Sequence, residues 1–240
     1  PWNAREIEAA VNEYEGSLPP GGWPNWVLGN HDNSRIASRV GKNQARIAAM
    51  LLLTLRGTPT MYYGDEIGME DGKISEDEVQ DPQEKNIPGK NLGRDPERTP
   101  MQWDDSTYAG FSPAKPWLPL MKDFEKVNVE RELNEENSIL NFYRKLINLR
   151  NNEPALHVGD FIPVPSERKI FSYIRKQADK KFLIALNFGP SEEKFEPGLI
   201  EWKGTVKLST HPQREGEQLS GLLYLEADQG IVLEITEENK

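Results

Sequence analysis

One helix that is apolar almost all round, set between two short apolar strands, constrains this chain more than any other feature. Trp26, Val27 and Leu28 read as a buried strand running from about Asn25 to Gly29, and Thr60-Met61-Tyr62-Tyr63-Gly64-Asp65-Glu66 opens a second one after Pro59. Between them, Ile47, Leu51 and Leu55 make one stripe of a helix that Asn43 can cap and Gly57 ends. Ala48, Met50, Leu52 and Leu53 widen that stripe until the helix must be covered on several sides. Asn30-His31-Asp32 follows the first strand directly. A carboxylate and an imidazole displayed just past the carboxyl end of a strand, in a strand-helix-strand unit, is how a (β/α)₈ barrel presents reacting groups.

The rest of the chain divides by texture. Ile7, Ala10, Val11 and Tyr14 recur at helical spacing over residues 3 to 15, and Pro19-Pro20-Gly21-Gly22 stops that helix. From Gly64 to about Leu133 the sequence is polar, rich in Pro and Gly, and punctuated by Trp103, Phe111 and Trp117. So long a stretch without periodicity belongs to a functional loop region or to disorder. Ile139, Phe142, Tyr143 and Leu146 predict a helix over Asn137 to Arg150. After Pro154 come six short apolar runs separated by turn residues: Phe161 to Val164, Ile170 to Ile174, Phe182 to Leu186, Val206 to Leu208, Leu222 to Leu225 and Ile231 to Ile235. Their spacing predicts an antiparallel β-sandwich. The expected fold is therefore α/β followed by all-β, with a domain boundary that separates residues 1–151 from 152–240.

Composition narrows the partners. With 29 Lys and Arg against 39 Asp and Glu the net charge is −10, which repels nucleic acid and anionic lipid. A neutral or cationic small molecule fits better. There is no cysteine, so no disulfide framework, thiol nucleophile or zinc-thiolate site exists, and the compartment stays open. The most apolar run, Ile47 to Leu55, is far shorter than the roughly 20 residues of a membrane span. The start at Pro1, directly in a helical pattern, is read as that of a fragment or processed product.

Asp32 and His31 are the first candidates for chemistry, although a polar tripeptide at a strand end also serves ordinary turns. Arg94 and Arg98, four residues apart in Gly93-Arg94-Asp95-Pro96-Glu97-Arg98-Thr99-Pro100-Met101-Gln102-Trp103, are either surface partners of neighbouring acids or a pair that orients an acidic group holding a sugar hydroxyl. The acidic run from Glu70-Asp71-Gly72 through Glu76-Asp77-Glu78 to Asp81 lacks calcium-loop spacing and reads as a solvated loop. His157 and His211 read as surface histidines, and no metal site, phosphate loop or serine elbow is evident.

Four stretches together carry a family resemblance: Val27-Leu28-Gly29-Asn30-His31-Asp32-Asn33-Ser34-Arg35, Gly57 to Met69, Arg98-Thr99-Pro100-Met101-Gln102-Trp103-Asp104, and Ala109-Gly110-Phe111-Ser112 with Pro116-Trp117-Leu118-Pro119. In this order the chain resembles glycoside hydrolase family thirteen, the α-amylase superfamily, in its α-glucosidase and oligo-1,6-glucosidase branch. The resemblance implies that the first strand is barrel strand seven, the second strand eight, and residues after about 152 the C-terminal sandwich. It implies that Asp32 is the third catalytic carboxylate, bonding ring hydroxyls of the glucose next to the scissile bond more tightly as the ring approaches an oxocarbenium ion. His31 would donate to the same glucose, and Arg98 or Arg94 would anchor its far end through an acidic partner outside this chain. The nucleophile and general acid, which in that family follow strands four and five, match nothing here, and Asp65 and Glu66 do not stand in for them. The implied whole is a retaining α-glucosidase with no redox cofactor, acting on a short oligosaccharide and completed by a missing N-terminal barrel segment. The alternatives are a trehalose synthase or sucrose isomerase, a non-catalytic transporter heavy-chain ectodomain, and a free-standing carbohydrate-binding sandwich.

Overall fold

A side-chain cap starts the first helix. In the computed structural model, which describes residues 2–90, 92–166, 169–199 and 202–237, α1 runs Ala4–Ser17, and Asn3 Oδ1 accepts the Glu6 backbone N–H at 3.0 Å. Ala4 and Val11, two turns apart, are its buried stripe. Next come β1 (Asn25–Val27), α2 (Ile36–Val40), α3 (Lys42–Thr54) and β2 (Thr58–Thr60). Asn43 lies inside the first turn of α3 rather than capping it, because the helix opens at Lys42 and Gly41 O accepts the Ala45 N–H. From Ala45 through Leu55 the apolar residues of this segment are at most 2% exposed, the cover that its all-round apolarity demands.

The first strand departs from expectation. β1 ends at Val27, which is 44% exposed, and β1 pairs with β2 in a sheet of two strands. With β2 as its sheet neighbour, β1 has little around it to cover Val27.

Among the described residues between β2 and residue 128, regular structure is confined to single turns at Asp65–Ile67, Pro96–Arg98 and Thr107–Gly110 and to α4 (Pro82–Asn86). α5 (Val129–Asn134), α6 (Ile139–Asn152) and α7 (Pro154–His157) follow. Ser138 starts α6 by accepting the Asn141 N–H at 3.1 Å. The strands β3 (Asp160–Val164), β4 (Ile170–Gln177), β5 (Lys180–Asn187), β6 (Glu193–Phe195), β7 (Trp202–Ser209), β8 (Gln218–Ser220), β9 (Leu223–Leu225) and β10 (Gly230–Glu237) complete the chain. β6 and β8 were not expected, since three-residue polar strands leave no apolar run to read.

The chain divides into two compact units, one of Pro1–Trp26, Arg46–Pro59 and Arg144–Lys240, the other of Val27–Ala45 and Thr60–Tyr143. In the first, an antiparallel sheet has the order β3-β4-β5-β10-β7-β8, with Leu183 opposite Ile174 on one side and Leu233 on the other. Ile174, Leu183, Val206 and Leu233 pack with Phe195 of β6 and Leu223 and Leu225 of β9, so the small β6-β9 sheet closes one face. Alternate residues Phe171, Tyr173, Ile184 and Leu186 are also buried, and here α3 provides cover: Tyr173 Oη bonds Thr54 Oγ1, and a Cβ on Gly230 would lie 2.9 Å from Met50 Sδ. Two buried arginines take up the carbonyls at the end of α3. Arg150 donates to Leu53, Leu55 and Gly57, and Arg175, which burial pushes down to about 10, donates to Thr54.

The second unit is built differently. One apolar cluster in it joins Ile67, Met69 and Met101, with Met121, Val127, Val129 and Leu140 around them. Much of its interior is polar: Arg35, Asp65, Asp81, Asp95, Glu97, Thr99 and Gln102 are all buried.

Candidate active site

A short turn displays the first two candidates. Asn30 Oδ1 accepts the Asp32 backbone N–H and Asn33 Nδ2, each at 2.9 Å, an asparagine-closed turn that holds His31 and Asp32 outward. Asp71 braces its far end, accepting the Arg35 N–H at 2.7 Å and the Ser34 hydroxyl, while Ser38 Oγ accepts the Asp71 N–H. Arg35 itself is fully buried. Its guanidinium lies over the rings of Tyr62 and Tyr63, 5.2 and 4.6 Å from their centroids, and donates to Tyr63 O. Tyr62 and Tyr63 in turn donate their hydroxyls to Glu97 O and Thr99 O, which fixes the loop that carries Arg94 and Arg98.

All four sequence candidates meet at one carboxylate. Asp32 Oδ1 accepts Arg94 Nη1 at 2.9 Å and Arg98 Nη2 at 3.2 Å, and His31 Nε2 lies 3.4 Å from Oδ2. Arg98 Nε also donates to His31 O at 2.8 Å. The cluster is open: the Asp32 side chain is 48% exposed and that of His31 65%. The Arg94 hydrogen bond, with the charges of His31 and both arginines, holds the Asp32 carboxyl below the usual aspartate range.

The acidic loop corrects a sequence expectation. Asp81 is no solvated loop residue, since its side chain is 0% exposed, and its Oδ2 accepts Arg94 Nε at 2.8 Å and the Arg94 backbone N–H at 3.2 Å. Oδ1 caps α4 through the Gln83 N–H, and Asp95 Oδ2 receives the N–H groups of Gln80 and Asp81. A buried carboxylate persists only where donors converge on it, and here a guanidinium and backbone amides do so. The hydrogen bond from Arg94 is the main cause of a lowered Asp81 pKa. Sequence reasoning missed Asp81 because it treated the acids of this loop as a run. The sequence signal was Asp81-Pro82, a residue that caps a helix followed by proline at its first position.

Asp65 is another buried acid of the unit. Burial pushes it up to about 6 despite the nearby Arg35 charge, and its Oδ1 has no hydrogen-bond partner. Gly29 passes so close that a Cβ there would meet Asp65 Oδ2 at 3.0 Å. Among the described residues, no group of three or more His, Asp or Glu is placed to hold a metal ion.

An ionised, half-open carboxylate flanked by two guanidinium groups and an imidazole has little use as a proton donor at neutral pH. It can accept hydroxyl hydrogen bonds and stabilise positive charge that develops beside it. Asp81 cannot supply a second reacting carboxylate, because it is buried and both of its oxygens are engaged.

Comparison with known proteins bears on the family of the chain. Residues 1–159 match the family described as alpha amylase, catalytic domain. The chain is 37% identical over 196 residues to an alpha-glucosidase of Apis mellifera, covering 80% of this chain and 34% of that protein. It is 33% identical over 251 residues to the amino acid transporter heavy chain SLC3A1 of Homo sapiens, covering 99% of this chain and 34% of that one. Among solved structures, isomaltulose synthase from Klebsiella sp. LX3 superposes with a TM-score of 0.86 at 28% identity, over 98% of this chain and 47% of the other. The chain thus spans about a third of the length of the first two relatives and about half of the third.

Proposed function

Because the chain belongs to the α-amylase family of glycoside hydrolases, we propose that it is the part of an α-glucosidase that carries the transition-state carboxylate, Asp32. In this reading β1 and β2 are strands seven and eight of a (β/α)₈ barrel, residues 1–151 are the end of the catalytic domain, and residues 152–240 are its C-terminal β-sandwich. A further segment of the same enzyme supplies the nucleophile and general acid that retaining chemistry requires. The substrate is a short oligosaccharide ending in an α-linked glucose. The observation that carries the proposal is the Asp32 carboxylate itself, ionised, open to solvent and tied at one oxygen to Arg94 and Arg98.

The roles follow from what each group can reach. Asp32 accepts hydroxyl hydrogens of the glucose next to the scissile bond, and its charge gains value as the ring turns cationic. His31 donates to the same ring. Arg98, and less directly Arg94, orients the acceptors at the far end of that sugar.

Glucosyl transfer is the second reading, favoured by the structural match to isomaltulose synthase. Product analysis separates them: hydrolysis of sucrose or maltose by the full-length protein releases glucose, whereas transfer yields an isomeric disaccharide. The kinship with a transporter heavy chain gives a third outcome. Full-length protein with no turnover of p-nitrophenyl α-glucoside, maltose or sucrose would overturn both enzymatic readings and favour kinship with that relative. The 240-residue chain alone is expected to release no p-nitrophenol above an Asp32→Asn control.

A further inference from the structure

Arg94 and Arg98 both reach Asp32, yet they are held in different ways. The Arg94 guanidinium spans two carboxylates, with Nε on Asp81 Oδ2 at 2.8 Å and Nη1 on Asp32 Oδ1 at 2.9 Å, and its own backbone N–H is bonded to the same Asp81 oxygen. Arg98 has a longer bond to Asp32, 3.2 Å, lies 3.9 Å from Asp81, and rests its Nε on the carbonyl of His31. One arginine is clamped from behind by a buried anion. The other leans on an exposed turn.

Resting on the reading of Asp32 given above, we propose that Asp81 is a positioning residue, which clamps Arg94 so that its Nη1 points at Asp32 and leaves Arg98 as the arm that turns to an incoming sugar hydroxyl. The guanidinium fork is planar, so fixing Nε and the backbone N–H sets the direction of Nη1. Asp81 is fixed in its turn, because Asp95 Oδ2 holds its N–H at 2.8 Å. Asp81 touches no substrate in this scheme. Its effect on the reaction passes wholly through Arg94, and it explains why a carboxylate is buried beneath an open site.

The test begins with the unaltered chain, so that no variant has to fold. Exchange of the arginine Nε–H protons, followed by ¹⁵N NMR, should be slower for Arg94 than for Arg98, on the order of tenfold, because the first is bonded to a buried carboxylate. Equal rates would overturn the clamp. Asp81→Asn then keeps an oxygen to cap α4 but replaces the other with an amide donor facing Arg94 Nε–H. In that variant Arg94 exchange should accelerate to the Arg98 rate, and the Asp32 carboxyl, titrated by ¹³C NMR, should move up toward the ordinary aspartate range. An unmoved Asp32 titration in a folded Asp81→Asn chain would reduce Asp81 to a helix cap. In the full-length protein the same change should lower kcat on the order of tenfold with a smaller change in KM. Should the two NMR results appear without the kinetic one, the clamp stands and the catalytic reading of Asp32 falls.

Discussion

The C-terminal sheet and the loop-built unit that carries Asp32 solve the problem of an interior by opposite means. In the sheet Phe171, Tyr173, Phe182, Leu183, Ile184, Ala185 and Leu186 are removed from water almost completely, and their apolar contacts need no particular angle. In the loop unit the buried groups include Arg35, Asp65, Asp81, Asp95 and Glu97, each of which is tolerable only with a partner in the right direction. Directionless burial gives stability. Directed burial gives one arrangement of a loop region that has little regular structure to hold it, and it makes that arrangement sensitive to charge.

The largest stability effect therefore belongs to the sheet. Leu183 is fully buried between Ile174 and Leu233, and Leu183→Ala should cost about 2 to 5 kcal/mol in urea unfolding followed by far-UV circular dichroism. A cost below about 0.5 kcal/mol, the size of a surface change, would break the contrast.

Asp65 tests the other side of it. Its carboxyl is raised in the folded state from the ordinary value near 3.8 to about 6, so the native protein holds a proton there after the unfolded chain has lost its own. The resulting stabilisation is complete below pH 4 and is lost as pH rises through 6, a loss of about 3 kcal/mol for a shift of two units. Asp65→Asn should remove that dependence. The difference in unfolding free energy between mutant and wild type should shift in the mutant's favour from pH 4 to pH 7.5 and then level off. A difference independent of pH would show that Asp65 titrates normally and that the loop interior is wetter than its burial states.

What was legible in the sequence follows the same line. Runs such as Ile170 to Ile174 and Ile231 to Ile235 announced β4 and β10 because apolar residues bounded by turns have few other uses. The polar three-residue strands β6 and β8 escaped, being held by the sheet rather than by their own composition. His31 and Asp32 could be singled out by their place at a strand end and Arg94 and Arg98 by their spacing, but only the family resemblance tied the two pairs to one sugar. The burial of Asp81 was not legible for a physical reason: Asp81-Pro82 marks a helix start, but nothing in an acidic loop sequence distinguishes a cap in water from one buried under an arginine. The exposure of β1 was not legible because strand composition reports affinity for a core, and in this chain β1 has β2 as its sheet neighbour.

The smallest effect sharpens the comparison at the surface. Arg131 and Glu135 form a pair at 3.1 Å on the outside of the loop unit, both sides more than half exposed. A double-mutant cycle with Arg131→Ala and Glu135→Ala should give a coupling of about 0.3 to 0.5 kcal/mol that fades in 1 M salt. Coupling as large as that of a buried pair would mean that exposure does not separate the structural ions from the ornamental ones in this unit.

The central claim is that the open carboxylate at the meeting point of Arg94, Arg98 and His31 acts on the transition state. Steady-state kinetics of the full-length protein with Asp32→Asn on p-nitrophenyl α-glucoside test it most directly. Asparagine keeps the shape and removes the charge, so kcat should fall on the order of 10²-fold or more while KM changes far less. Near wild-type kcat in a folded Asp32→Asn enzyme would contradict the account and leave Asp32 as a residue of the turn.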